Sequence, residues 1–189
     1  RQAGAKAVVR SALREAATCF EQALAALGRV PESQATITQA IDLRIDLQSA
    51  LGPLGASERM LDTLREATKL AEMLGDHRRL GRVSAEMCYS FLWMGDMDQA
   101  VKSGQRGVAL ASALGDLGLE VVTNFRLGQA HFGLGEYRRA IDVLKQTIEP
   151  LQGELIRERF GLPVIPSAIC RTWVGMCLAN LGEFGAAIA

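Results

Sequence analysis

Along most of the chain apolar residues return at every third or fourth position, and polar residues fill the gaps. Ala16, Phe20, Ala23, Leu24 and Leu27 set this rhythm, which lays an apolar stripe along one side of an α-helix. No stretch sustains the period of two that marks a half-buried strand. The stripes predict helices over 6–28, 34–51, 57–74, 77–94, 97–114, 117–134, 137–151 and 167–181, with a last one starting near 184. Short breaks rich in Gly, Pro and Asp separate them, so successive helices must pack antiparallel. Pro31, Pro53, Pro163 and Pro166 all fall in such breaks.

The breaks themselves repeat. Met94-Gly95-Asp96 returns as Leu134-Gly135-Glu136, and Ala71-Glu72-Met73-Leu74-Gly75-Asp76 returns as Ala111-Ser112-Ala113-Leu114-Gly115-Asp116, each after forty positions. Two different signals keep one period, the mark of an architecture whose units bury their apolar faces against their neighbours. Gly55, Gly95, Gly135 and Gly182, spaced by 40, 40 and 47, stand between the two helices of a pair. Glycine there supplies the left-handed conformation that ends one helix and admits a tight turn. The predicted fold is all-α, an α-α superhelix of four to five stacked antiparallel hairpins. It forms one domain over 1–189, with approximate units 1–33, 34–76, 77–116, 117–166 and 167–189.

Leu127-Gly128, Phe132, Gly135-Glu136-Tyr137 and Ala140 resemble the tetratricopeptide repeat (TPR). Its helix-turn-helix unit carries a Leu-Gly pair, an aromatic, a Gly-x-Tyr and small residues on the second helix. Val174-Gly175, Leu178, Gly182-Glu183-Phe184 and Ala187 repeat the pattern. Met87-Cys88, Phe91, Gly95-Asp96-Met97 and Ala100 follow it more loosely, and Leu47, Leu51, Gly55 and Leu64 more loosely still. The period of 40 exceeds the roughly 34 of that family, and Asn124 stands where its opening Trp would be. These are divergent repeats with long helices. Small residues such as Gly128 and Ala140 would let paired helices approach closely.

A narrower resemblance spans nearly the whole chain. The blocks 17–24, 40–44 and 153–163 (Ala-Thr-Cys-Phe-Glu-Gln-Ala-Leu, Ala-Ile-Asp-Leu-Arg and Gly-Glu-Leu-Ile-Arg-Glu-Arg-Phe-Gly-Leu-Pro) are similar to the C-terminal repeat region of large bacterial regulators. Those proteins carry a class III nucleotide cyclase domain, an AAA-like ATPase module and then helical repeats. The resemblance implies a regulatory tail of a signalling enzyme. The chain opens on Arg1 and stops within an apparent helix at Ala189, so it is expected to be a piece of a longer protein.

Charge narrows the partners. Twenty-one basic residues balance twenty-one acidic ones, which gives none of the cationic footprint of a nucleic-acid binder. Apolar runs of a few residues are too short to span a membrane, and no secretory leader is present, so a cytoplasmic setting is expected. Cys19, Cys88, Cys170 and Cys177 lack metal-site spacing and are expected to be reduced core residues. Cys170 and Cys177 lie two turns apart, roughly 10 Å along a helix, too far to be bridged to each other. His77 and His131 sit in no zinc or triad spacing, and no Gly-Lys pair offers a phosphate loop. No catalytic residue, metal or cofactor is therefore expected. Asp42 with Asp46, and Arg78 with Arg79 and Arg82, read as solvated helix faces.

The candidate sites follow from the architecture. In stacked hairpins the first helix of each pair lines the concave face, which assigns Arg82, Tyr89 and Trp93, then Val122, Phe125, Gln129 and Phe132, then Thr172 and Met176 to a groove. Aromatics bordered by polar groups suit a peptide or helix, although Trp93, Phe125 and Phe132 fit inter-repeat core equally well. Residues 152–166 break the period by seven positions, and insertions in repeat arrays map to loops, often on a binding face. Arg157, Arg159 and Phe160 are the contact candidates there; a linker that reorients the last repeat is the alternative. The expected function is binding of a protein, a peptide or other domains of the same chain. A small-ligand sensor, and a spacer that self-associates through exposed repeat ends, stay open.

Overall fold

A two-residue signal sets the length of the helices. Gly95 adopts φ 78°; its N–H returns to the Leu92 carbonyl at 3.2 Å and that of Asp96 to Phe91 at 3.0 Å, closing one helix through a left-handed cap. The Asp96 carboxylate then accepts from the Gln99 N–H at 3.2 Å and opens the next. Left-handed glycines recur every twenty residues, at Gly55, Gly75, Gly95, Gly115 and Gly135, half the period read from the sequence.

The computed structural model describes residues 1–188, and ten α-helices make up that span: α1 (Gln2–Val9), α2 (Leu13–Leu27), α3 (Gln34–Leu51), α4 (Ser57–Leu74), α5 (His77–Met94), α6 (Met97–Leu114), α7 (Leu117–Gly133), α8 (Tyr137–Ile148), α9 (Pro166–Asn180) and α10 (Phe184–Ile188). A 3-10 turn, Gly153–Arg157, interrupts the connection between α8 and α9.

The expected helix over 6–28 is two helices. Ser11 takes φ 58°, and the N–H groups of Ser11 and Ala12 return to Val8 and Ala7. These bonds close α1 with a cap usually built on glycine, so nothing in the apolar pattern announces it. The helix expected over 137–151 ends at Ile148. Pro150 lacks the N–H that would continue it and disfavours helical geometry at Glu149. Pro166, expected in the loop, is instead the first residue of α9, where its fixed φ and missing donor suit a helix start.

Each helix packs on the next, and α1, α3, α5, α7 and α9 also touch one another in succession. Among the described residues the backbones of α2, α4, α6, α8 and α10 stay apart from each other, and only long side chains bridge them, as in the ion pairs Glu21–Arg59 and Glu72–Arg106. The first helices therefore occupy the shorter, inner arc, and the second helices splay along the outer one. Gly128 permits one of the close approaches: a Cβ there would come within 2.7 Å of both Cγ and Cδ2 of Leu144. The core is a chain of small clusters rather than one centre. Ala7, Phe20, Leu47 and Met60 lie at one end; Ile41, Leu64 and Val83 follow; Phe125, Leu144 and Cys170 lie toward the other.

Candidate functional site

The inner face is written at one spacing on successive helices. On α5 the solvent-facing positions are Arg78, Arg82, Glu86, Tyr89 and Trp93. The same places forty residues later on α7 are Gly118, Val122, Arg126, Gln129 and Gly133. Thr172 and Met176 continue the surface on α9. Trp93 is 63% exposed and meets Tyr89 edge-on, with centroids 5.9 Å apart. The Arg126 guanidinium lies 3.8 Å from the centre of the Tyr89 ring, and its Nη1 donates to Gln129 Oε1 at 3.2 Å. Beyond them Phe132 packs edge-on to Trp173 at 4.9 Å and to Tyr137 at 5.4 Å.

At the other end of α5 and α7 the inserted segment folds onto this face. Leu162 is buried with Phe125 and Cys170, and Arg159 Nη1 donates to the Pro163 carbonyl at 2.9 Å. Glu158 Oε1 accepts from the N–H groups of Arg159 and Phe160. Phe160, held at φ 50°, lies against Gly118, where a Cβ would stand 3.3 Å from its ring. The loop thus walls a cleft of about 390 Å³ shared by Arg78, Arg82, Glu86, Val122 and Phe160. Arg78 is tied to Asp116 at 2.6 Å. Arg82 takes part in no ion pair among the described residues.

No family model matches the chain, and no curated protein matches it either. Solved structures share its fold. The apo form of RapI superposes with a TM-score of 0.78 at 12% identity, over 98% of this chain and 64% of that one. A Podosopora anserina structure of nearly identical TPR-like repeats gives 0.72 at 13% identity, over 97% and 86%. A Rap protein complexed with competence and sporulation factor gives 0.79 at 12% identity, over 98% and 48%. The chain is a TPR-like α-α superhelix. It spans less than two thirds of the two Rap structures.

The superhelix sorts the expected groove residues. Arg82, Trp93, Thr172 and Met176 are exposed, and Tyr89 and Gln129 are half-buried on the inner face, whereas Phe132 is half-buried against the core cluster of Ala140, Ile141 and Cys177. Phe125 is a core residue, 3% exposed between Leu144 and Cys170, because the loop brings Leu162 over it. It offers nothing for a partner to touch. Of the loop candidates, Arg157 and Arg159 are exposed, while Phe160 is half-buried against α7.

Two charged groups depart from the solvated faces expected of them. Asp42 is 9% exposed and receives Arg79 Nε and Nη2 at 2.9 and 3.1 Å. Arg79 Nη1 also reaches Asp76 at 2.7 Å, and Arg1 approaches Asp42 at 3.4 Å. Burial alone would raise the Asp42 pKa, but the hydrogen bond and charge of Arg79, aided by Arg1 and Arg82, hold it below the ordinary carboxylate value. This bidentate pair rivets α3 to α5. His131 is buried, with Nδ1 2.7 Å from Glu136 Oε2. Cys88, Cys170 and Cys177 are buried free thiols and Cys19 is half-buried. Among the described residues no cluster of His, Cys, Asp or Glu is placed to hold a metal, and no helix is long and apolar enough to cross a membrane.

Arg126 and Trp173 were absent from the expected groove. The signal for Arg126 was a lone charge inside Val121-Val122-Thr123-Asn124-Phe125-Arg126-Leu127, a polar residue in a segment otherwise bound for the interior.

Proposed function

We propose that the chain is an interaction module that seats a segment of a partner protein, or of another domain of its own parent, along the inner face of the superhelix. The observation that carries this reading is the exposed aromatic end of the groove. Trp93 keeps 63% of its surface in solvent beside Tyr89, where large apolar area would be buried by a docked side chain at little entropic cost. A fold neighbour, the Rap protein, is known complexed with competence and sporulation factor, which supports a binding role for this architecture. The test is capture of immobilised ten-residue peptides by the purified chain, compared with Trp93→Ala and Thr172→Arg. Loss of capture in both variants at unchanged helical circular dichroism supports the reading. Equal capture by all three proteins overturns it.

The blocks at 17–24, 40–44 and 153–163 support a finer version, in which the superhelix is the regulatory tail of a bacterial nucleotide cyclase with an ATPase module. A partner that prefers one state of the tail would bias the attached enzyme by population shift. Cyclase and ATPase rates of the full-length parent should change when residues 1–189 are removed. Unchanged rates in stable protein would reduce the role to docking.

A second reading is favoured by the cleft beneath Phe160. Its volume of about 390 Å³ falls in the range of small-molecule sites, and Arg82 would supply a charge to an anionic ligand. A thermal shift with a small anion panel, lost in Arg82→Ala, separates this from peptide binding.

A further inference from the structure

Arg126 is 8% exposed, and its Nε is buried without a hydrogen-bond partner. The guanidinium takes part in none of the ion pairs found among the described residues. One neutral acceptor, Gln129 Oε1, meets Nη1. The faces of Tyr89 at 3.8 Å and Phe125 at 5.5 Å supply the remaining stabilisation. A cation stacked on aromatic rings recovers part of its lost hydration but does not use its in-plane donors. Nη2 has no hydrogen-bond partner among the described residues either, yet unlike Nε it is not sealed from solvent. Glu86 occupies the equivalent place one repeat earlier and shares the neighbourhood of Cys88, but it does not pair with Arg126. A buried guanidinium left without a carboxylate is a costly arrangement, and its position midway along the inner face gives that cost a use.

Resting on the interaction reading above, we propose that Arg126 is the specificity-determining residue of the groove and receives an Asp or Glu side chain of an acidic partner segment. The incoming carboxylate meets a planar donor edge already fixed by Tyr89 and Gln129, so little ordering is needed on binding. Arg82, also unpaired and on the same helix face as Tyr89, adds positive potential toward the cleft. The exposed Trp93 stands beside the Tyr89 ring that carries the charge and suits an apolar residue next to the acid.

The test uses the chain 1–189 and two immobilised libraries of ten-residue peptides. They are identical except that every Asp and Glu of the first is Asn or Gln in the second. The wild type should bind its best acidic peptides about tenfold or more tightly than their amide twins, as expected for a charge-assisted bond formed away from water. Arg126→Gln should erase that ratio, and Arg126→Lys should restore part of it. Glu86→Gln should leave it intact or raise it. The thermal midpoint of Arg126→Gln should stay level or rise, because an uncompensated charge is removed, which keeps the variant usable. An acid-to-amide ratio near one in the wild type, or one unchanged in Arg126→Gln, overturns the assignment while leaving the interaction reading in place. Binding only to phosphorylated versions of the peptides also overturns it, since the recognised group is then a phosphate. Absence of binding to either library removes both the assignment and the reading it rests on.

Discussion

Asp42 shows how much one carboxylate can do inside a helical stack. It takes two hydrogen bonds from Arg79 and sits near Arg1, so its charge is anchored on three elements at once. Asp76, which caps α5, is likewise held below the ordinary carboxylate value: burial opposes the charge, and the backbone and side-chain hydrogen bonds of Arg79 outweigh it. Both groups bind protons less readily folded than unfolded. Their stabilisation is therefore complete above the unfolded value near 4 and is lost as pH falls through the lower folded values. Thermal midpoints should hold level from neutral pH down to about 4 and then drop. Asp42→Asn should lower the thermal midpoint at neutral pH, because Arg79 is left without its bidentate carboxylate, and flatten the acid limb. An unaltered acid limb in Asp42→Asn would show that other carboxylates carry it. The cysteines give a second check. Burial pushes the Cys88 and Cys170 thiols up to about 12, so the native chain at pH 8 should react with a thiol reagent only at Cys19, and at all four positions after denaturation. None of this tertiary pairing is legible in the sequence, because Asp42 and Arg79 are thirty-seven positions apart on stripes that each look solvated.

Helices are the scale at which the sequence speaks most plainly. The bounds of α3 to α6 match the apolar spacing, and those of α5 and α6 are set by Gly-Asp breaks, which contain both a left-handed residue and a capping carboxylate. Ser11 and Pro150 escaped the same reading. A serine rarely takes the left-handed cap that ends α1, and Pro150 lies in a segment whose apolar rhythm runs on past it. The close approach of α7 to α8 was foreseeable from Gly128, and it yields a quantitative expectation. Gly128→Ala places a methyl within 2.7 Å of Leu144, a fully buried side chain with no room to withdraw. Overpacking of this kind costs about 1–3 kcal/mol. Leu144→Ala alone opens a cavity and costs about 2–5 kcal/mol. The double variant should be less destabilised than the sum, because the new methyl enters the space vacated. Additive losses in a denaturant-unfolding cycle would mean that the two helices separate instead of repacking.

At the scale of the molecule, a stack held by neighbour contacts alone has no closed surface. The inner arc gathers Trp93, Arg126 and the loop over Phe160, and the α9–α10 hairpin presents another apolar area. Phe184 is 64% exposed and Ile188 is 87% exposed, whereas the matching face of α5 against α6 is closed by the next pair. Uncovered apolar area of this kind tends to find a partner. Two copies of the chain joined through α10 would bury it in the same way that successive hairpins bury theirs. Light scattering coupled to size exclusion should show mass rising with concentration for the wild type. Phe184→Asp with Ile188→Asp should remain monomeric at unchanged helical content. Because α10 lies outside the groove, the paired substitution should leave peptide capture by Trp93 and its neighbours intact, and a simultaneous loss of capture would mean that the groove is assembled between two copies. A wild type that stays monomeric at high concentration would leave α10 without a self-association role and return the inner face as the surface by which this superhelix works.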